Sequence, residues 1–490
     1  MIHRRLLLCV LLASLIPAVA SGKPARQSRP NVVLILADDL GVGDVSYQTP
    51  TSKLRTPHID ELAEGGRSYL DAYAPASVCT PTRYGLLTGR YAWRTWLEQG
   101  IAKPYASSLI EPGQPTIATW FQSLGYRTAL VGKWHLGIDW LTRTGEVAPP
   151  YQRERSEPTL DLARPYAHGP LDVGFETFFG VDAPNFPPYA FIDGRTFAGR
   201  PPSIPKPDEI YGRPGLMQPG WQPEAVFPTL ARRTLDTLED LLARPEPFVL
   251  DLPLTAPHTP IAPSPAFQGR SGIGPYGDFV LEVDAFVGDL MATLDEHGVL
   301  DDTIVLFTSD NGSPALYDDQ GGSIIQMAGH RPNGLYRDRK ASPFDGGFRV
   351  PLVIHWPERV PAGTESTRPV SLVDVWPTLA SLLDDPGAPV GPDGRSFADD
   401  IDPSLPLPPP RPGLVLHSHG GVFALRAGRW KLIEGFGWDP ATADPRVDLF
   451  DLERDPRERQ NLALRRPEKV IELWSKLVAV KRAETPDPGA

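Results

Sequence analysis

Polar side chains with active-site chemistry come soon after apolar runs of strand length. Four such groups follow four separate runs: Asp38 and Asp39, Lys133 and His135, His258, and Asp310 and Asn311. Carboxylates and amides can bind a cation, whereas lysine and histidine can bind an anion or transfer a proton. In open α/β sheets, ligands bind at the carboxyl ends of the strands. The sequence therefore predicts that these four groups lie on one rim and form a polar site.

The elements that must position these groups are read from the apolar runs themselves. Runs that fit strands buried on both faces are Asn31 to Ala37, Thr128 to Val131, Phe248 to Leu252, Thr303 to Thr308 and Val350 to His355. Residues 229–242 and 279–294 instead place apolar residues three and four apart, as amphipathic helices do. This alternation predicts an α/β fold with a large, largely parallel central sheet sandwiched by helices.

A second, smaller unit is predicted after the proline-rich segment at residues 403–412. Short runs typical of strands follow it, at Leu414 to His417, Val422 to Ala427, Trp430 to Ile433 and Val447 to Leu449, and then a helical pattern from Pro467 to Val480. We therefore expect a catalytic domain at residues 30–403 and a C-terminal subdomain at residues 404–490, with an antiparallel sheet and a helix. Residues 151–223 are rich in proline, glycine and aromatics and are predicted to form long surface loops.

The first 20 residues have the features of a secretory signal peptide. Residues 3–5 are basic, residues 6–16 are apolar and residues 18–20 form a small-residue cleavage site. The apolar stretch is too short to span a bilayer comfortably, so we expect its removal rather than stable membrane insertion. A disordered leader at residues 21–29 would follow. The predicted mature protein is exported, to the periplasm or out of the cell.

Charge and cysteine content narrow the possible partners. The chain has 48 basic and 60 acidic residues, a net charge of −12, which argues against nucleic acid and anionic membranes as general partners. Loss of the signal peptide would remove Cys9 and leave Cys79 as the single cysteine, so the mature protein would have no internal disulfide. A lone thiol in an oxidising compartment calls for an explanation.

Cys79 lies in the segment Ser77-Val-Cys79-Thr-Pro81-Thr-Arg83, which runs on to Leu-Leu-Thr-Gly-Arg90. If Pro81 starts a helix, Cys79 lies at its N-terminal end, where backbone N–H groups favour an anion, and Arg83 lies on the same face. The segment resembles the signature of the type I sulfatase family, within the alkaline phosphatase superfamily, which has a Cys-x-Pro-x-Arg core followed by Leu-Thr-Gly-Arg. This resemblance implies an alkaline phosphatase-like fold.

The resemblance also implies a chemical role for the lone cysteine. In this family a maturation enzyme oxidises the cysteine to formylglycine, an aldehyde that hydrates to a diol. One hydroxyl then attacks sulfur and displaces the alcohol, and the second expels sulfate and regenerates the aldehyde. Such a conversion of Cys79 would account for its presence without a disulfide partner.

The metal ligands implied by the resemblance are all oxygen donors. They are Asp38, Asp39, Asp310, Asn311 and one oxygen of the modified Cys79. Such a set suits one calcium ion, with magnesium as the second choice, because calcium tolerates irregular cages of carboxylates. The metal would lower the pKa of the nucleophile and polarise the sulfuryl oxygens.

The remaining catalytic residues implied by the resemblance are basic. Lys133 and His135 match residues that contact the sulfate and the formylglycine oxygens, and in an extended segment they would point to the same side. His258 matches the histidine that protonates the departing alcohol. Lys340 matches a lysine that also holds sulfate, and with Arg83 and Lys133 it would concentrate positive charge around a tetrahedral oxyanion.

The leading hypothesis is a sulfatase that acts on a sulfated carbohydrate or glycan, with aryl sulfates as surrogate substrates. One alternative is a phosphodiester or phosphonate hydrolase of the same superfamily. Another is a catalytically silent sulfoglycan-binding protein whose Cys79 is never matured.

Two further expectations concern residues outside the predicted site. Asp345, where relatives usually carry glutamate, is predicted to be structural. The segment at residues 330–337 is predicted to be either a substrate contact or a solvated loop, and its candidate residues are His330, Arg331, Asn333 and Arg337.

Overall fold

The structure is a computed structural model that describes residues 29–148, 159–314, 328–438 and 445–483. The predicted signal peptide and almost all of the predicted leader lie outside these residues. The α-helices of the described part are α1 (Pro57–Glu64), α2 (Cys79–Thr88), α3 (Ile117–Ser123), α4 (Val226–Leu242), α5 (Pro275–Glu296), α6 (Asp345–Phe348), α7 (Val375–Leu382), α8 (Ala398–Ile401) and α9 (Pro467–Arg482). Across the described residues, no helix combines the length and apolar character needed to cross a membrane.

The strands make up one large sheet, one smaller sheet and two short pairs. In chain order they are β1 (Asn31–Ala37), β2 (Arg67–Tyr69), β3 (Ala72–Tyr73), β4 (Arg127–Lys133), β5 (Thr177–Val181), β6 (Ile192–Asp193), β7 (Thr196–Phe197), β8 (Ile204–Pro205), β9 (Leu216–Met217), β10 (Phe248–Pro253), β11 (Thr303–Ser309), β12 (Leu352–His355), β13 (Thr364–Ser366), β14 (Val370–Ser371), β15 (Leu414–His417), β16 (Phe423–Ala427), β17 (Trp430–Trp438) and β18 (Pro445–Asp451).

The large sheet has ten strands in the order β13-β2-β12-β11-β1-β10-β4-β5-β6-β7. Its five central strands, from β11 to β5, are all parallel, whereas β12 joins β11, and β6 joins β5, in antiparallel pairs. The prediction of a large, largely parallel sheet is therefore confirmed. Because the central strands are parallel, their carboxyl ends meet at one edge, where the predicted polar groups follow them.

Both faces of the large sheet are covered, as the apolar strand runs predict. Along β1, Val33 and Ile35 pack with α1, α4 and α5, and Leu34 and Leu36 pack on the other face with α2, α3 and α7. Successive side chains of a strand point to opposite faces, so only a continuous apolar run can serve two layers of helices. The fold is a sheet between two helical layers.

The prediction of surface loops at residues 151–223 is wrong for part of that segment. Residues 151–158 lie outside the described part, but β5 pairs in parallel with β4 and extends the large sheet. The strands approach closely at two glycines, since a Cβ at Gly180 would lie 1.8 Å from the carbonyl oxygen of Gly132. Glycine permits this contact, but it has no side chain. The alternating pattern that identifies a strand in a sequence is therefore weaker here.

The smaller sheet is antiparallel, with β15 to β18 in sequential order. One face packs against α9 through Leu473 and Leu477, and the other packs against Tyr73 and Phe348 of the larger unit. The predicted small antiparallel sheet with a terminal helix is therefore confirmed. At the same junction Lys431 of β17 lies 2.6 Å from the carboxylate of Asp345 and 2.7 Å from that of Glu458.

Candidate active site

Two pairs of polar residues emerge side by side from adjacent strands. Asp38 and Asp39 follow β1, Asp310 and Asn311 follow β11, and the last residues of the two strands are paired in register. The N–H of Asp39 donates to Asp310 Oδ1 at 3.1 Å, and Asn311 Nδ2 donates to Asp39 Oδ1 at 2.7 Å. Oxygens of the three carboxylates lie within 4.8 Å of one another, and all four residues are buried.

The chemistry of these donors fits a hard cation. Asp38 Oδ1 and Asn311 Oδ1 are buried and accept no hydrogen bond from the residues that the structure describes. Buried acceptors without hydrogen-bond donors are uncommon in proteins, and a bound cation would satisfy them. An all-oxygen cluster with such acceptors can hold calcium or magnesium, so the residues present fit the implied metal.

Helix α2 begins at Cys79, as the position of Pro81 predicts within two residues. The Cys79 side chain is buried, and its Sγ lies within 4.8 Å of ligand atoms of Asp38 and His258. Burial by itself raises the pKa of the Cys79 thiol, but the ammonium groups of Lys133 and Lys340, and the imidazole of His135 when protonated, hold that pKa well below its usual value. The surroundings of residue 79 therefore stabilise a negative charge on its side chain.

Arg83, one turn further along α2, is held by the carboxylate cluster. Its Nε and Nη2 donate to Asp310 Oδ2 at 3.1 and 2.8 Å, and its Nη2 lies 3.5 Å from Asp38 Oδ1. Its Nη1 donates to the Lys133 carbonyl at 3.1 Å. These bonds make Arg83 a direct support of Asp310.

Lys133 and His135 both reach the site, although the segment between them is not extended. Lys133 ends β4, and its Nζ donates to Asp38 Oδ2 at 2.7 Å. His135 has a φ of +53°, in the left-handed region, so the expectation of an extended segment is wrong. The turn still directs the imidazole to Cys79, whose pKa it lowers. Burial raises the pKa of Asp38, but the Lys133 ammonium and other nearby cations hold it well below its usual value.

His258 and Lys340 flank the second aspartate of the cluster. His258 Nε2 lies 3.7 Å from Asp39 Oδ2, and its Nδ1 lies 2.5 Å from the carbonyl of Thr259. Lys340 Nζ donates to Asp39 Oδ1 at 2.5 Å, and its side chain is 17% exposed. Since the carboxylates, Arg83 and Lys133 are less exposed than this, Lys340 marks the side from which solvent reaches the cluster.

The structure thus brings together all the residues that the sequence predicted for the site: Asp38, Asp39, Cys79, Arg83, Lys133, His135, His258, Asp310, Asn311 and Lys340. These residues come from the ends of β1, β4 and β11, from α2, and from the segments after β10 and before α6.

A buried network behind Asp39 was not predicted. The hydroxyl of Tyr276 lies 2.6 Å from Asp44 Oδ2, 3.2 Å from the Asp39 carbonyl and 2.8 Å from Ser313 Oγ. His330 Nε2 lies 2.8 Å from the other oxygen of Asp44. An aspartate seven residues after β1 was the available hint, but Tyr276 and His330 lie more than 200 residues away from it in the chain.

The segment from residue 330 to residue 337 is partly buried, with His330 and Asn333 inside the protein and Arg331 and Arg337 exposed. His330 is buried against Asp44, and Asn333 bonds both the N–H and the carbonyl of Ser313. Arg337 donates to the Glu458 carbonyl at 2.7 Å and stacks on a phenylalanine ring. The interpretation as a solvated loop is therefore wrong for His330 and Asn333, whose side chains are bonded inside the protein.

Comparison with known proteins identifies relatives over almost the whole chain. The family model described as Sulfatase matches residues 30–385. An N-acetylgalactosamine-6-O-sulfatase of Bacteroides thetaiotaomicron is 31% identical, over 93% of this chain and 94% of that protein. Arylsulfatase A of Homo sapiens is 34% identical, over 92% of this chain and 86% of that protein. A solved chain from work on glycosaminoglycan metabolism by Bacteroides thetaiotaomicron superposes with a TM-score of 0.79 at 28% identity, covering 93% of this chain and 100% of that one.

Proposed function

The chain belongs to the sulfatase family and is a sulfuric ester hydrolase, and we propose that it acts on a sulfated carbohydrate with a formylglycine at position 79 and one calcium ion. The observation that carries this proposal is the position of Cys79. It begins a helix beside a cluster of three carboxylates, with Lys133, Lys340 and His135 close enough to stabilise negative charge on its side chain.

The proposed metal ligands are the four oxygen donors at the ends of β1 and β11, together with an oxygen at position 79: Asp38, Asp39, Asp310 and Asn311. The buried oxygens of Asp38 and Asn311 that lack hydrogen-bond donors support this assignment. Calcium is proposed over magnesium because the ligands are crowded and carboxylate-rich. When bound, the ion would supply positive charge that favours an ionised oxygen at position 79 and polarises the sulfuryl group.

The formylglycine, once hydrated, would supply two hydroxyl oxygens where the Sγ of Cys79 stands. His135 is placed to accept a proton from one of them. Its Nε2 lies 3.1 Å from the carbonyl of Ala102, and a carbonyl can only accept, so Nε2 carries the ring proton. In the neutral ring, Nδ1 then has the lone pair, and the imidazole lies within hydrogen-bonding reach of the Cys79 side chain.

Three groups are placed to stabilise the sulfuryl oxygens and the departing alcohol. Lys133 and Lys340 carry positive charge on two sides of the cluster, and an oxyanion would be stabilised most where both reach it. When both of its ring nitrogens carry protons, His258 is placed to give the Nε2 proton to the alcohol oxygen as the sulfur–oxygen bond breaks. The net reaction takes up one water and releases the alcohol and hydrogen sulfate.

The carbohydrate substrate class is supported by the relatives rather than by a contact in this chain. One relative is an N-acetylgalactosamine-6-O-sulfatase, and the solved chain with a TM-score of 0.79 comes from work on glycosaminoglycans. The test is turnover by the purified, matured enzyme on a panel of defined sulfated saccharides, with an aryl sulfate as reference. Turnover of the aryl sulfate but of no saccharide would reject a carbohydrate substrate and leave the sulfatase activity standing.

Two alternatives make different predictions in the same assay. A phosphodiester or phosphonate hydrolase would turn over aryl phosphate or phosphonate esters faster than aryl sulfate. A silent glycan-binding protein would keep an unmodified thiol at Cys79 even when produced with a maturation enzyme. Comparing the ester rates and mapping the peptide that contains residue 79 separates all three possibilities.

The proposal also covers processing and organisation of the chain. We propose that residues 1–20 are removed on export to the periplasm or the medium, that residues 21–29 form a leader, and that a formylglycine-generating enzyme acts on Cys79. We further propose residues 30–403 as the catalytic domain and residues 404–490 as its C-terminal subdomain. N-terminal sequencing of the exported protein tests the cleavage site.

A further inference from the structure

The hydroxyl of Thr80, the residue after Cys79, connects two segments that are distant in the chain. Thr80 is fully buried in the first turn of α2. Its Oγ1 donates to the carbonyl of His135 at 3.0 Å and accepts the N–H of Ala102 at 3.2 Å. A hydroxyl has one hydrogen to give and lone pairs to accept with, so it can make both bonds at once.

The imidazole of His135 closes the connection into a ring of contacts. Its Nε2 donates to the carbonyl of Ala102 at 3.1 Å, so Ala102 offers its N–H to Thr80 and its carbonyl to His135. Thr80 thus holds the residue whose carbonyl selects the proton position on the His135 ring. The ring of Phe186 packs edge-on against the imidazole, with centroids 5.7 Å apart.

His135 needs such support because its backbone is unfavourable. A φ of +53° lies in the left-handed region, where a side chain with a Cβ is crowded by its own backbone. Conformations of this kind persist where the surroundings over-determine them. The bond from Thr80 to the His135 carbonyl restrains the very peptide that follows this strained residue.

We propose that Thr80 is a positioning residue, whose hydroxyl holds His135 and Ala102 together so that Nδ1 of His135 presents its lone pair to residue 79. The role in turnover rests on the proposed function, in which residue 79 carries the reacting oxygens. This connection of Thr80 with His135 and Ala102, called the clamp below, rests on the three hydrogen bonds and on the left-handed backbone of His135. Thr80 touches neither substrate nor metal in this assignment.

The first test is a pair of substitutions at position 80. Thr80→Val keeps the shape of the side chain and removes both hydrogen bonds, whereas Thr80→Ser keeps the hydroxyl. With an aryl sulfate, and with rates normalised to the aldehyde content measured by peptide mass mapping, we expect kcat to fall about 10- to 100-fold in Thr80→Val, because small misplacements of a catalytic group cost that much. KM should change less than about threefold, and Thr80→Ser should recover most of kcat.

A matched control lies in the same motif. Thr82 is also buried, and its hydroxyl donates to the carbonyl of Ala76 rather than to His135 or Ala102. Thr82→Val therefore carries the same risk to maturation without breaking the proposed clamp. An equal normalised fall of kcat in Thr82→Val and Thr80→Val, or no recovery in Thr80→Ser, would overturn the proposal.

A second readout does not depend on turnover. The N–H of Ala102 is protected by Thr80, so its hydrogen exchange should become faster in Thr80→Val and stay unchanged in Thr82→Val and Thr80→Ser. Unchanged exchange at Ala102 in Thr80→Val would overturn the clamp whatever the enzyme hydrolyses. If the wild-type protein hydrolysed no sulfate ester, the proposed function would fail while this exchange measurement still decided the clamp.

Discussion

The backbone N–H of Ser77 donates to the carbonyl of His417, 3.2 Å away. The N–H of His417 donates in turn to the carbonyl of Pro75 at 3.0 Å, so residues 75–77 lie along β15 as an added strand-like segment. Ser77 precedes Cys79 by two residues. The C-terminal sheet therefore supports the segment that leads into the proposed nucleophile.

This support predicts that damage to β15 lowers turnover. Leu416 lies in β15 on the face that packs against the larger unit, and Leu416→Ala should lower the free energy of unfolding by about 2–5 kcal/mol. The value of kcat for an aryl sulfate should fall about tenfold or more, because residues 75–77 lose their fixed edge. Leu473 packs on the opposite face of the sheet, so Leu473→Ala should cost similar stability and leave kcat unchanged. Equal kcat values for the two variants would show that β15 does not position the nucleophile.

The fork of Arg83 on Asp310 predicts that lysine cannot replace this arginine. Arg83→Lys keeps the charge but cannot make two bonds to one carboxylate oxygen, so kcat/KM should fall about 10- to 100-fold. Arg94 makes a comparable fork on Asp393 beyond the C-terminal end of α2 and provides the control. Arg94→Lys should leave kcat/KM unchanged, and a matching loss there would remove the special role of Arg83.

The carboxylate cluster predicts a dependence on calcium that a chelator reveals. Removal of the ion should abolish turnover of an aryl sulfate, and added calcium should restore it, with magnesium less effective. Calcium at 100 times its Kd should raise the free energy of unfolding by about 2.7 kcal/mol, because it binds only the folded chain. Full turnover by protein shown by elemental analysis to contain no metal would overturn the metal assignment.

The buried carboxyl of Asp284 predicts that the free energy of unfolding falls as pH rises from about 4 to about 6. Its Oδ1 accepts the N–H groups of His58 and Ile59 in the first turn of α1, and burial raises the pKa of its carboxyl to about 6. The folded state therefore keeps a proton that the unfolded state loses near pH 4. This contribution to stability is complete below pH 4 and is lost as pH rises through 6, a change of about 1–3 kcal/mol. Asp284→Asn keeps an acceptor oxygen and should flatten this part of the urea-midpoint profile. An identical profile in the variant would show that another group causes the slope.

The central strands could be predicted from the sequence because each must serve two helical layers, as Leu34 and Ile35 do in β1. Most of the site could be predicted for a related reason. Its residues follow parallel strands, whose carboxyl ends meet at one edge, and the segment around Cys79 is specific enough to suggest a family.

What could not be predicted depends on contacts between distant segments. The pairing of Ser77 with His417 spans 340 residues and uses backbone groups, which every sequence has. The left-handed backbone of His135 lies against Thr80 and Ala102, neither of which is near it in the chain. Tyr276 reaches Asp44 from α5, and neither residue type is unusual where it stands.

The central claim is that the reacting group at position 79 is an aldehyde held beside the carboxylate cluster. Preparations made with different amounts of a maturation enzyme would differ in the fraction of residue 79 present as formylglycine, which peptide mass mapping measures. Plotted against that fraction, kcat for an aryl sulfate should rise in proportion from zero for the unmodified thiol. The same kcat in a preparation in which residue 79 is entirely cysteine would contradict the account.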